Sequence, residues 1–134
     1  MYLTAATIND YFQPELTVTE AGAEVRIRVD PKFFHAAGSV HGSVYFKALD
    51  DAAFFAANSV VEGVFVLTTS FNIHLLRPVT QGTLIATGTV VSATRNLLIA
   101  DAVLRDENDR LLGRGTGTFM KSKMQLKDVP GYAD

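Results

Sequence analysis

Residues 43–60, SVYFKALDDAAFFAANSV, run for 18 positions without a glycine or a proline and are dense in alanine and other apolar residues. A run of that composition is a long helix. It is apolar around most of its circumference, so it has to be buried on more than one side. No other segment reads this way, and what surrounds it is patterned for strands. Upstream, AEVRIRVD sets Val25, Ile27 and Val29 against Arg26 and Arg28, the period of a strand with one buried face, and Pro31 closes it. Downstream come VFVLTTSFNIHLLRP, GTLIATGTVVSA, NLLIADAVLRD and RLLGRGTGTFMKS. Pro78 with Gly82, Thr94-Arg95-Asn96 and Glu107-Asn108-Asp109 supply the turns between them. One strand, a buried helix and four strands in hairpin order imply an α+β fold, an antiparallel sheet with a single helix on one face. Within FNIHLL, the alternation points Phe71, Ile73 and Leu75 at the helix and Asn72, His74 and Leu76 away from it.

The chain's 134 residues allow one sizeable core and are read as a single domain, 1–134. Ile8, Tyr11 and Phe12 lie at helical spacing before Pro14, which predicts a short N-terminal helix over residues 4–13 covering an edge of the core. Residues 127–134 read as a loose tail. A net charge of −2 without a dense Lys/Arg run argues against nucleic acid as a partner. With no cysteine, any catalysis has to use oxygen, nitrogen or backbone groups. No stretch approaches the roughly 18 apolar residues of a membrane span, and the opening residues lack a basic region followed by an apolar core; the expectation is a soluble, cytoplasmic protein with no membrane partner. No His/Asp cluster has metal-ligand spacing, so no metal and no cofactor are expected.

The informative residues lie in HAAGSVHGSVYFKALDDA, residues 35–52. The stretch before the helix mixes small residues, two glycines and two histidines without a period, and reads as a loop held against the body of the protein. Gly42 immediately precedes the helix, where free N–H groups and the positive end of the dipole can receive developing negative charge. Asp50 and Asp51 sit inside an otherwise apolar helix, where an unpaired carboxylate is costly. Two readings are open: one Asp exposed and the other paired with Lys47, or a carboxylate kept for chemistry. Gly42 also reads as a simple turn residue, and His35 and His41 as structural histidines. His74 reads as an ordinary residue on the outer face of its strand. Eight residues from Gly42 to Asp50 span roughly 12 Å of helix axis, too far for one helix to bring both to the same bond. If they serve one reaction they come from two antiparallel helices, which predicts a twofold dimer with two equivalent sites.

At this point the chain resembles the hotdog-fold thioesterases of the phenylacetyl-CoA thioesterase type. HAAGSVHGS followed by Asp50 matches the family's Asn-x-x-Gly-x-x-His-Gly-Gly and the catalytic Asp eight residues after the first paired glycine. NIHLLRPV resembles its apolar-Arg-Pro turn, Thr94-Arg95 its Gly-Arg hairpin, and IADAVLRDENDRLLGRGTGTFM its last two strands. The resemblance covers about residues 23–121. It implies an antiparallel sheet wrapped around one long central helix and acyl-CoA hydrolysis by a homodimer or homotetramer. It further implies that Asp50 is the general base or nucleophile, that the Gly42 amide is the oxyanion donor, and that Thr68 helps position the attacking water. Arg95 then lies near the CoA, and His41 is chiefly structural. His35 stands where the family has Asn and Ser43 where it has its second glycine; His35 is carried into the catalytic set, and His41, Ser43 and Phe46 into the substrate-binding set. Phe33, Phe34, Tyr45, Phe46, Phe54 and Phe55 offer an acyl pocket, although any core needs such a set. Arg77 and Lys121 join Arg95 as candidate phosphate contacts. Two alternatives stay open: a non-catalytic acyl-CoA binding module, and a hydratase or dehydratase, whose helix glutamate is here Leu49.

Overall fold

The computed structural model describes residues 7–61 and 63–125. The chain runs α1 (Ile8–Phe12), β1 (Glu15–Thr19), β2 (Gly22–Arg28), a 3-10 turn (Pro31–Phe33), α2 (Gly42–Ser59), β3 (Val64–Leu75), β4 (Thr83–Ala93), β5 (Leu97–Arg105) and β6 (Leu111–Gln125). All strand pairs are antiparallel, in the order β1-β2-β4-β5-β6-β3. The sheet curls around α2, the hotdog arrangement that the resemblance implied. Among the described residues no helix is long and apolar enough to cross a membrane.

The helix lies on the sheet because small side chains let it. Ala48, Ala52, Ala53, Ala56 and Ala57 are fully buried, together with Leu49. Gly88 of β4 lies directly under them: a Cβ there would stand 2.2 Å from the Ala52 carbonyl oxygen. Only a glycine admits so close an approach of helix to strand. At the other end Gly115 and Gly117 leave room for the Phe71 ring, which a Cβ at either would strike at 2.5 and 2.8 Å. Val25, Ile27, Leu84, Leu98, Leu104 and Phe119 fill the remainder of the core.

Two features depart from the sequence reading. A strand, β1, precedes the one expected first, and pairs with it through a tight turn in which Ala21 takes a positive φ of 63°. Its polar composition and exposed positions mark an edge strand, whose pattern is too weak to read as buried. The expected N-terminal helix is represented by α1, which stops before Pro14 with Gln13 in the left-handed region (φ 49°). Residues 4–6 of that expectation, and the expected tail 127–134, lie outside the described residues.

The second departure is a bulge in β3. Its register against β6 shifts between Thr68 and Ser70, so that Thr68 pairs with Phe119 and Ser70 with Thr118. Phe71 and Ile73 pack against the core as expected. Continued back from Phe71, strict alternation would aim Thr69 and Leu67 at the helix. The extra residue resets the phase, and it is Thr68 that faces α2.

Candidate active site

Asp50 and Asp51 are consecutive in the chain and live in different environments. Lys47 Nζ reaches Asp51 Oδ2 at 2.8 Å, the i,i+4 pair anticipated for one of the two acids, and also donates to Asn9 Oδ1 at 2.9 Å. Asn9, the buried side chain of α1, thereby ties the N-terminal helix to α2. Among the described residues no cation is paired with Asp50. Its Oδ1 accepts a hydrogen bond from the Thr68 hydroxyl at 3.0 Å. Burial pushes its carboxyl up from 3.8 to about 6; the Thr68 hydrogen bond opposes the shift, Asp51 adds to it and Lys47 weakly offsets it. Burial raises Asp51 too, against the pull of Lys47. Asp50 and Thr68 open on a cavity of about 200 Å³ that Phe54, Phe65, Val66 and Leu67 also line.

The helix start is built to leave one donor over. His41, the N-cap, accepts the Ser43 N–H on its Nδ1 at 3.0 Å, and its carbonyl accepts the Val44 N–H at 3.0 Å. Ser43 Oγ bonds the same Nδ1 at 2.9 Å. Because Nδ1 accepts an N–H, the neutral ring carries its proton on Nε2. Among the described residues no acceptor takes the Gly42 N–H, which points out of the first turn at the positive end of an 18-residue helix. Leu75 Cδ1 stands 3.0 Å from where a Cβ on Gly42 would be.

His35 serves its own loop. Its Nδ1 accepts from the Ala37 N–H and its Nε2 meets Ser39 Oγ, both at 3.0 Å, while its backbone N–H bonds the Ser39 carbonyl at 2.9 Å. The loop is fastened by Val40 N–H to the Val79 carbonyl and His41 N–H to the Phe33 carbonyl, each 2.9 Å. It is held against the body of the protein, as its composition indicated.

The sequence profile of the Thioesterase superfamily matches residues 37–112, from this loop to the start of β6. The chain belongs to the thioesterase superfamily. A protein of Mycobacterium tuberculosis named as an esterase is 30% identical over 98 residues, 70% of this chain and 70% of that protein. One from Saccharolobus solfataricus, also named as an esterase, is 24% identical over 98 residues; the chain spans only 65% of its length. The E. coli PaaI protein from the phenylacetic acid degradation operon superposes with a TM-score of 0.85 at 20% identity, covering 92% of this chain and 90% of that one. At that identity the likeness carries the fold.

In this thioesterase-superfamily chain the residues singled out from sequence fall into two groups. Asp50 and Thr68 meet directly. Gly42, Ser43, His41 and His35 cluster at the helix start, with the two imidazoles 6.5 Å apart. Phe46 lies between the groups on the open stripe of α2, 41% exposed and edge-on to Phe71 at 5.4 Å. Arg95 sits on the exposed β4–β5 turn beside Lys121, whose N–H bonds the Asn96 carbonyl at 3.4 Å and which pairs with Val66 of the Asp50 cavity wall.

Of the aromatic set, Phe54 lines the Asp50 cavity. Tyr45 does not offer a pocket wall there: it is buried, with its hydroxyl donating to the Arg77 carbonyl. Sequence reasoning missed Asn9 and Leu75 as neighbours of the site, since only tertiary contact brings them to it. Among the described residues no group of three or more His, Asp or Glu side chains is placed to hold a metal ion.

Proposed function

We propose that this protein hydrolyses acyl-CoA thioesters, with Asp50 as the general base and the Gly42 amide of a second protomer as the oxyanion donor. The observation that carries the reading is the Asp50 carboxyl, paired with no cation among the described residues, bonded to Thr68, facing a cavity and raised to about 6. Such a group is mostly ionised at neutral pH yet basic enough to take a proton from water. The water oxygen attacks the thioester carbonyl carbon as its proton passes to Asp50. The carbonyl oxygen, now negative, is stabilised by the Gly42 N–H. Collapse breaks the C–S bond, the sulfur leaves with the proton returned from Asp50, and free acid and CoA result. Direct attack by Asp50 would instead break the C–S bond, expel the CoA thiolate, which takes a proton from solvent, and leave a mixed anhydride that water then opens.

The dimer follows from distance. Gly42 and Asp50 lie roughly 12 Å apart along one axis, and the open stripe of α2 carries Phe46 beside Phe71 and Leu75. A second α2 laid antiparallel on that stripe covers the apolar side chains and brings each Gly42 to the other protomer's Asp50.

Thiol release from a panel of acyl-CoAs, aryl-acetyl, benzoyl and short to long aliphatic, tests the proposal with wild type beside Asp50→Asn. We expect turnover to fall about 100-fold or more with the far-UV circular dichroism unchanged. Full activity in the variant sinks the role of Asp50. Saturable CoA-ester binding without hydrolysis, indifferent to Asp50→Asn, would make the protein a binding module instead.

A further inference from the structure

Helical spacing leaves Lys47 two partners. Asp50 follows it by three positions and Asp51 by four, and side chains at either separation are neighbours on a helix. The structure takes one of the two: Lys47 Nζ lies 2.8 Å from Asp51 Oδ2, and among the described residues it makes no ion pair with Asp50. Both acids line the same cavity. The position of one ammonium therefore decides which of them is left without a counter-charge.

α1 supplies what holds that ammonium. Asn9, a buried side chain, accepts from Lys47 Nζ on its Oδ1 at 2.9 Å. The helix that carries Asn9 is fastened by other contacts as well. The Tyr11 hydroxyl donates to the Lys32 carbonyl at 2.8 Å, and the Tyr11 and Phe12 rings each pack 5.4 Å from the Phe33 ring. Lys47 Nζ also stands 5.8 Å from the centroid of the Phe12 ring, a cation set against an aromatic side chain. An ammonium with little access to water has to give its donors to protein acceptors. Asn9 takes one and Asp51 another, and Asp50 is left to the Thr68 hydroxyl.

We propose that Asn9, together with Asp51, holds the Lys47 ammonium away from Asp50, and that Asn9, Lys47 and Asp51 are positioning residues for the general base. The inference rests on the thioesterase reading above and extends it to α1, which precedes the matched stretch 37–112. A cation seated on Asp50 would favour its charged form and make it a weaker base. Among the described residues, α2 turns Lys47 and Asp51 toward Asp50 and β3 adds the Thr68 hydroxyl. The inner faces of β2, β4, β5 and β6 are apolar there, as at Val25, Leu84, Ala100 and Phe119. The loop that a second protomer brings to Asp50 carries His35 and His41 and is the same in every variant below.

Asn9→Leu keeps the bulk of the side chain and removes the acceptor. The released ammonium then has Asp50 within reach, so the acid limb of kcat/KM should move down by about half a pH unit or more. Above the limb kcat should fall about threefold, with KM nearly constant. In a Lys47→Met background no ammonium is left to move, and Asn9→Leu should change neither quantity. A limb that stays in place or rises in Asn9→Leu, or that shifts as far without Lys47 as with it, overturns the proposal. Should Asn9→Leu fail to fold, Asp51→Asn frees the ammonium from its other partner and should lower the limb in the same direction; a limb that does not fall refutes the hold. The carboxyl 13C resonance of Asp50, identified by its loss in Asp50→Asn, titrates without substrate and keeps the two proposals separable. If no thioester is hydrolysed, an Asp50 midpoint lowered by Asn9→Leu only while Lys47 is present still upholds the hold, and an unchanged midpoint refutes it.

Discussion

What a carboxylate can do depends on what stands beside it, and α2 places two adjacent acids in opposite roles. Asp51 is neutralised by Lys47 one turn back and helps to anchor α1. Asp50 is partly buried with the Thr68 hydroxyl as its one hydrogen-bond partner among the described residues, and its carboxyl rises to about 6. With Asp50 as the proposed general base the active form is the ionised one, so kcat/KM should climb with pH through an acid limb near that value and level off above it. The Thr68 hydrogen bond favours the charged form and holds the carboxyl lower than burial alone would. Thr68→Val, which keeps the shape and removes the hydroxyl, should therefore move the acid limb to higher pH as well as lower the plateau. A pH profile of kcat/KM for both proteins decides the point; a limb that stays in place, or moves down, would show that Asp50 is not the group that titrates. Both acids were visible in the sequence as oddities in an apolar helix, and Lys47 four positions before Asp51 explained one of them. Nothing local identified what Asp50 touches, because its partner lies 18 residues away on a strand.

That partner shows how elements set side-chain direction. The alternation correctly put Phe71 and Ile73 on the inner face of β3, with Leu75 half exposed at the helix start, yet carried two or three residues further back it would have turned Thr68 outward. The bulge at Thr69 reverses the phase, and bulges leave little trace in a pattern of period 2. Thr68 came into view through family resemblance instead. The helix itself was legible throughout, since a run of alanines and aromatics without breakers has one reading. Why it is so rich in alanine shows only at Gly88, where strand and helix backbones touch. Gly88→Ala puts a methyl 2.2 Å from the Ala52 carbonyl oxygen, and neither backbone can retreat without moving an element. We expect destabilisation of about 3 kcal/mol, a fall in Tm of roughly 10 °C, read by thermal unfolding. An unchanged Tm would mean that α2 does not sit so tightly on β4. β1 escaped the sequence reading for the opposite reason: an edge strand has one neighbour and a solvated side, so its residues were free to be polar.

At the scale of the whole molecule, the separation between Gly42 and Asp50 converts a claim about chemistry into a claim about assembly. Each group can be removed without disturbing the other. Proline at position 42 deletes the N–H but suits the first position of a helix, and His41 already holds φ −66° and ψ 145°, the conformation a residue before proline prefers. Among the described residues, a Cβ at position 42 meets the far end of the Leu75 side chain. Gly42→Pro should thus keep its fold and lose about 100-fold or more in kcat, the cost of one oxyanion donor. Mixed with Asp50→Asn and allowed to exchange subunits, two inactive proteins should produce an active one. In a mixed dimer, Asp50 of the proline variant faces Gly42 of the asparagine variant and forms one intact site, while the second site lacks both groups. Random pairing makes half the dimers mixed, so activity should return to about a quarter of wild type. Were both groups drawn from the same chain, every site in the mixture would carry a lesion and activity would stay at the level of the separate variants.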